Sequence, residues 1–243
     1  MDNDLKKIAL VFGGSRGIGA ATVVRLAKDG YKVAFTYASR EDKANEVVAS
    51  VEAAGGEVIA IKADSSNAGQ IEVAVEQAVA KFGSIDALVV NAGIFSMGTV
   101  DTVPVEQLDQ MIDVNVRGVF LAIQATAPHI NDGGRVITVG SNVAIRTGFA
   151  GTSVYQFTKG AVAAMVKGIA LDLAPRSITV NNVQPGPTDT DINTGALEFL
   201  ADKTPLKRVA KPSEIAGLIA YIASEEAGYM TGSSITIDGG FTL

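Results

Sequence analysis

Two residue types stand four positions apart in the stretch Ser153-Val154-Tyr155-Gln156-Phe157-Thr158-Lys159. Read as a helix over 153–173, this segment places the Tyr155 phenol and the Lys159 ammonium on one face, one turn apart. The chemistry open to such a pair is proton transfer. A free tyrosine titrates near 10, so its anion must be stabilised before it can exchange protons readily at neutral pH, and a neighbouring cation does that. Bringing the phenol to about 7 takes roughly 4 kcal/mol at about 1.4 kcal/mol per pKa unit. Tyr and Lys at helical spacing also occur as a packed, solvated pair, so the rest of the chain has to decide. Ser141 lies a short way upstream, where a hydroxyl could serve the same reaction.

The elements that must position this stretch alternate along the whole chain. The apolar run Ile8-Ala9-Leu10-Val11-Phe12 ends in glycines, the pattern of a strand buried on both faces. A helix over 20–28 follows and stops at Gly30. Further strands are expected at 31–37, 57–62, 85–90, 135–139, 177–184 and 234–237. Between them fall helices at 41–54, 70–82, 105–127, 153–173 and 212–224. No repeat, low-complexity tract or linker interrupts the series. It predicts an α/β fold: a doubly wound, Rossmann-type parallel sheet of about seven strands with helices on both faces. All 243 residues are read as one domain, with 1–140 for a cofactor and 141–243 for catalysis and substrate. Ligands of such sheets sit beyond the carboxyl ends of the strands, and each motif below falls at such an end.

Composition narrows the function classes. A net charge of −6 with no long basic run argues against nucleic acid or an anionic membrane as partner. Cysteine is absent, which removes disulfides, thiolate catalysis and Cys-ligated zinc together. The one histidine, His129, follows Ala-Pro and reads as a surface residue at a helix end, so a Ser-His-Asp triad has little to build on. No metal site is read. The apolar run at 8–12 is too short for a signal-peptide core or a membrane span, and the expectation is a soluble, cytoplasmic protein.

Gly13-Gly14-Ser15-Arg16-Gly17-Ile18-Gly19 joins the first strand to the first helix. Glycines there permit a tight turn and close backbone approach. The helix N-terminus beyond offers free N–H groups and a positive dipole end to a pyrophosphate. The spacing of Gly13, Gly17 and Gly19 is stretched relative to the ordinary dinucleotide fingerprint.

Taken together, these motifs resemble the short-chain dehydrogenase/reductase superfamily over nearly the whole chain. Its glycine motif T-G-x-x-x-G-x-G matches 12–19, with Phe12 in place of the threonine. Its N-N-A-G motif matches Val90-Asn91-Ala92-Gly93, with Val90 in place of the first Asn. Its catalytic tetrad corresponds to Asn115, Ser141, Tyr155 and Lys159. Its P-G motif matches Pro185-Gly186, followed by Thr188 and Thr190 on the nicotinamide side. The resemblance implies that Tyr155 exchanges a proton with the substrate oxygen while nicotinamide C4 exchanges a hydride. It implies that Lys159 lowers the tyrosine pKa and holds ribose, that Ser141 bonds the substrate carbonyl, and that Asn115 holds a water leading to Lys159. It also implies a homotetramer, for which Val162, Met165, Val166 and Ile169 are the residues expected to face core or neighbour.

Cofactor choice rests on the end of the second strand. Where an NAD enzyme places an acid to accept the ribose hydroxyls, this chain has Tyr37, followed by Ala38-Ser39-Arg40. With Arg16 in the glycine loop, two guanidinium groups and Ser39 suit a 2′-phosphate, hence NADPH or NADP+ ahead of NAD. The other reading of Arg40 is a solvated charge opening the Glu41-Asp42 helix. Asp64 corresponds to the family's adenine contact. The expected substrate is a small carbonyl compound in an apolar pocket lined by Ile94, Phe95, Asn142, Val143 and Phe149, under a mobile lid at 191–207. The general look is that of bacterial 3-oxoacyl-acyl-carrier-protein and carbonyl reductases, although Asn131-Asp132-Gly133-Gly134 lacks the basic residues that would meet an acidic carrier. The runs at 35–38, 183–187 and 236–239 also resemble a biofilm-dispersal relative associated with cyclic di-GMP, so a nucleotide sensor is the alternative.

Overall fold

The structure, a computed structural model, describes residues 6–243. Seven parallel strands form one sheet in the order β3-β2-β1-β4-β5-β6-β7. They are β1 (Ile8–Phe12), β2 (Lys32–Tyr37), β3 (Val58–Lys62), β4 (Ile85–Val90), β5 (Ile130–Val139), β6 (Thr179–Pro185) and β7 (Ser234–Ile237). The first three strands run outward to one edge, and the chain then returns to lay β4 on the other flank of β1. That reversal opens a crevice above β1 and β4, where an open α/β sheet takes its ligand.

Each face is sealed by its own apolar layer. On one side Leu10, Leu88 and Ile85 pack with Ile71 of α3 (Ala68–Phe82) and with Val162 and Val166 of a long helix, 153–173. On the other, Val11, Phe35 and Ile137 meet Leu26 of α1 (Gly17–Lys28), Val47 of α2 (Glu41–Ala53), and Ile215 and Ile219 of a late helix, 212–223. Fully burying a side chain of this kind contributes about 1.5–3 kcal/mol, which explains why β1 is apolar at all five positions. Phe12 and Val90, the two departures from the family motifs, belong to the first layer. The backbone work at Phe12 is done by its carbonyl, which accepts from the amides of Asn91 and Ala92 at 3.0 and 2.9 Å.

The helix expected at 105–127 is not one helix. α4 (Val105–Ile112) runs into a π-helical turn, Asp113–Arg117, in which the Gly118 amide donates five residues back to the Asp113 carbonyl, and α5 (Gly118–Thr126) follows. A methyl group on Gly118 would stand 2.1 Å from the Ser65 carbonyl oxygen, so the helix is pressed directly onto the loop after β3. Gly118→Ala should lower stability by about 1–3 kcal/mol, the usual range for overpacking, read as a shift of the urea midpoint. An unchanged midpoint would show that the Ser65 loop yields freely.

β5 begins at Ile130 rather than at 135, because Ile130 already pairs with Ile85. The register then jumps, and regular pairing resumes at Arg135–Ala87. Asn131-Asp132-Gly133-Gly134 therefore lies at the start of that strand, the end away from the crevice, with Asp132 paired to Arg176 at 2.8 Å. His129 ends a short 3-10 turn just before it, half-buried. α6 (Ser153–Leu173) buries Val162, Val166 and Ile169, with Met165 packed against them. The segment read as a lid contains a 3-10 turn, Asp191–Asn193, and α7 (Leu197–Lys203), and is pinned at its far end by buried Thr204. α8 (Pro212–Ala223) completes the chain's helices, its first turn closed by Glu214 accepting from the Lys211 amide at 2.8 Å. Among the described residues no helix is long and apolar enough to cross a membrane.

Candidate active site

The glycine loop is shaped by contacts that leave no room for side chains. Gly13 takes φ +78° against the backbone of Ala92, and a methyl on Gly14 would stand 2.5 Å from Phe35 Cβ. A methyl on Gly19 would stand 2.0 Å from the Gly13 carbonyl oxygen. Gly17 takes φ +52°, and a methyl on it would stand 3.0 Å from the Thr190 methyl. The loop is held to its neighbours by Gly13 N donating to Thr36 Oγ1 at 3.0 Å and Asn91 Nδ2 donating to the Gly13 carbonyl at 2.8 Å. No side chain caps α1, so the amides of its first turn are available to an anion in the crevice. The cleft beside the loop is lined by Ser15, Arg16, Ile18, Tyr37, Asp64 and Ala92, among others. Bare backbone, free helix amides and a cation together fit the phosphates of a dinucleotide.

A second cleft opens at the ends of β4, β5 and β6. Ser141 and Asn142 follow β5, Tyr155 and Lys159 stand on α6, and Pro185, Gly186 and Thr188 follow or end β6. Ile18, Asn91, Gly93, Thr190 and Ile192 line both clefts, so the two are continuous. Thr188 is buried and donates to the Gly186 carbonyl at 2.9 Å, which fixes the turn that brings Thr190 over the glycine loop.

The helix reading of 153–173 places Tyr155 and Lys159 on one face, with Lys159 Nζ 5.7 Å from the centre of the phenol ring. Lys159 is buried and donates to the Val139 carbonyl at 3.0 Å. Burial lowers its pKa from 10.5 to about 8. The expected depression of the phenol is not found in this state. Burial pushes Tyr155 up to about 12, with the Ser141 hydroxyl opposing that rise. The reason is that desolvation of the phenolate outweighs its stabilisation, while the ammonium faces a carbonyl and the ring face. Ser141 is itself buried and accepts from the Val143 amide at 3.3 Å.

Asn115 is fully buried on the π-helical turn. Its amide exchanges two hydrogen bonds with the Ile94 backbone, both 2.8 Å, and donates to Thr158 Oγ1 at 3.2 Å. It thus clamps the loop after β4 to α6. A methyl on Gly93 would meet Asn115 Oδ1 at 3.3 Å and Lys159 Nζ at 3.4 Å, which places glycine, amide and ammonium within one small volume.

At the other end of the crevice the arginines are occupied. Arg16 forms an ion pair with Asp191 of the lid segment, and Arg40 makes a two-pronged contact with Asp42 at 2.9 and 2.7 Å. Ser39 and Arg40 are exposed and lie outside the cleft lining, in keeping with the alternative reading of Arg40 as a helix-opening charge. The Asp64 carboxylate accepts from the amide and hydroxyl of Ser66, both at 2.9 Å.

Phe95 and Phe149, expected in the pocket from the sequence, do line it, whereas Phe241 carried no signal in the chain. Phe95 stacks edge-on against Tyr155 at 4.9 Å, and Phe149 faces Phe199 of α7 at 5.7 Å and Phe241 at 6.3 Å. Phe241 arrives because the chain turns back after β7 through Gly239 and Gly240, both at positive φ. Asp238 fixes that turn by accepting from Gly240 N, Thr242 N and Thr242 Oγ1 at 2.8–2.9 Å. Burial alone would raise its pKa, but these donors hold it below the usual carboxylate value. In the sequence Asp238 and Gly239 were legible as the end of the strand at 234–237 and as part of the run 236–239, not as a turn that delivers Phe241. Among the described residues no cluster of His, Asp or Glu could hold a metal ion.

Fold and clefts define a Rossmann-like dinucleotide-binding architecture, and comparison with known proteins gives the family. Residues 13–242 match the family model described as Enoyl-(Acyl carrier protein) reductase. A short-chain dehydrogenase/reductase from Serratia marcescens is 52% identical, superposes with a TM-score of 0.95, and is covered, like this chain, to 98%. A short-chain dehydrogenase from Burkholderia cenocepacia, solved in complex with NADP, is 43% identical with a TM-score of 0.95, over 99% of this chain and 100% of that one. A cyclic-di-GMP-binding biofilm dispersal mediator protein of Escherichia coli is 39% identical over 238 residues, 97% of each chain. The chain belongs to the short-chain dehydrogenase/reductase family of oxidoreductases.

Proposed function

We propose that this protein is an NADPH-dependent reductase that converts a small, largely apolar ketone or aldehyde to an alcohol. The observation that carries this reading is the continuity of the two clefts. Backbone suited to phosphates leads directly to a pocket where Ser141, Tyr155 and Lys159 converge. The glycine loop and the first turn of α1 would hold the pyrophosphate, Asp64 the adenine end, and Asn91, Ala92, Gly93, Lys159, Gly186 and Thr190 the nicotinamide half. When bound, the dinucleotide supplies a hydride equivalent. Ser141 and Tyr155 hydrogen-bond the carbonyl oxygen, and the phenol gives that oxygen a proton as negative charge develops on it. A phenol held protonated is the form that reduction needs. An alkoxide is far more basic than a phenolate, so the transfer runs downhill despite the raised pKa. Lys159 then steadies the phenolate left behind, and Asn115 keeps the floor of the site rigid by its hold on Ile94.

The NADP complex of the Burkholderia relative supports the choice of cofactor. The Phe95, Phe149, Phe199 and Phe241 side chains support an apolar substrate. The protein works in the cytoplasm and assembles as a homotetramer in this reading. The stripe of α6 expected to face core or neighbour lies in the core, and support for assembly comes instead from exposed Phe120, Phe157 and Leu171. Light scattering giving a monomer at micromolar concentration would reject the tetramer.

The Escherichia coli relative favours a second reading, a cyclic di-GMP binder, in which the phosphates use the glycine loop. Calorimetry with cyclic di-GMP, with and without NADPH, beside an absorbance assay of NADPH oxidation over a carbonyl panel, separates the two. The reductase reading expects turnover of at least one activated ketone or aldehyde and no cyclic di-GMP binding. Micromolar binding that NADPH abolishes, with no turnover on the panel, would replace it.

A further inference from the structure

The contact between Arg16 and Asp191 joins the glycine loop to the lid. Arg16 is the residue before α1 and lines the dinucleotide cleft; Asp191 opens the segment that hangs over that cleft, and lines it too. Their side chains are half and more exposed, so the pair is labile rather than structural. Arg40, stabilised first by its hydrogen bonds to Asp42, also feels the Asp191 charge. Of the two guanidinium groups, only Arg16 lines the cleft, and it is the one Asp191 contacts directly.

We propose that Asp191 is a cofactor-specificity residue, whose carboxylate occupies Arg16 in the free protein and must be displaced by the 2′-phosphate of NADPH. The inference rests on the NADPH reading above. A carboxylate and a phosphate are alternative two-oxygen partners for one guanidinium plane. The displaced anion belongs to the lid, so cofactor binding and release of the lid from the glycine loop form one linked equilibrium. NADH, lacking the phosphate, has nothing to exchange for the Asp191 contact. It binds without breaking the pair, and Asp191 affects it little.

Fluorescence or calorimetric titration of NADPH and NADH into the wild type, Asp191→Asn, Arg16→Gln and the double variant tests this. Asp191→Asn should tighten NADPH about two- to fivefold, the range that an exposed ion pair covers. NADH affinity should stay within about twofold by the same measure. Arg16→Gln should weaken NADPH, and in that background Asp191→Asn should lose most of its effect, a non-additivity reporting direct contact. Equal shifts for both dinucleotides, or none, would overturn the role of Asp191. An Arg16→Gln variant that binds NADPH as tightly as the wild type would overturn it as well, by removing Arg16 from the phosphate site. A wild type that binds neither dinucleotide would instead bring down the cofactor reading and the inference with it.

Discussion

Tyr155→Phe is expected to lower turnover about 10²–10⁴-fold, the span of a positioned general acid, while NADPH affinity changes no more than a few-fold. The substitution removes one oxygen and leaves the ring in place against Phe95. Cofactor contacts drawn from the glycine loop and the ends of β4 and β6 are untouched by it. Because the wild-type phenol is held protonated, up to about 12, activity in the direction of reduction should not depend on its titration at neutral pH. The check is the carbonyl assay run beside a binding titration on the same preparations. Retained turnover in the phenylalanine variant would remove Tyr155 from the chemistry.

Lys159→Met is expected to damage both turnover and cofactor affinity, each by one to several orders of magnitude, since a buried charged partner of this kind is worth several kcal/mol to what it holds. The pH dependence carries a sharper signature. Burial brings Lys159 to about 8, below its ordinary 10.5, so the folded protein loses this charge as pH rises through about 8. The sign follows directly: kcat/KM for NADPH, which reports the free enzyme, should fall on the alkaline side of that value. The methionine variant, with no charge to lose there, should show a flat profile at its reduced level. Circular dichroism at both ends of the range confirms that the fold persists. A wild type whose kcat/KM stays level well above that pH would show that the lysine keeps its proton and that burial does not lower its pKa.

The parts of this protein that were legible in its chain are those decided by short-range pattern. Apolar runs such as 8–12 and 85–90 can only be strands buried on both faces, and the glycines at 13–19 have no better use than a turn at a strand end. The spacing of Tyr155 and Lys159 was enough to place them on one helical face. What escaped was set by tertiary contact. The π-helical turn that buries Asn115 comes where Gly118 meets the carbonyl of Ser65, in the loop after β3 and 53 positions earlier in the chain, and nothing local announces it. The direction of the Tyr155 shift depends on how dry the pocket is, which spacing does not reveal. Arg40 had its partner two residues on, at Asp42, so its solvated-charge reading was available; the Arg16–Asp191 pair, across most of the chain, was not. Phe241 entered the pocket through a turn that looked like a mere end.

The proposed function depends on hydride transfer from NADPH to a carbonyl carbon in the cleft between Ser141 and Tyr155. The most direct measurement follows NADPH carrying deuterium at the transferable C4 position through reduction of an activated ketone by the wild-type protein. Deuterium found on the new carbinol carbon, at a rate that Tyr155→Phe lowers about 10²–10⁴-fold, is the predicted result. NADPH that binds but is never oxidised across the carbonyl panel, or a reduced product whose carbinol carbon carries only protium, would contradict it.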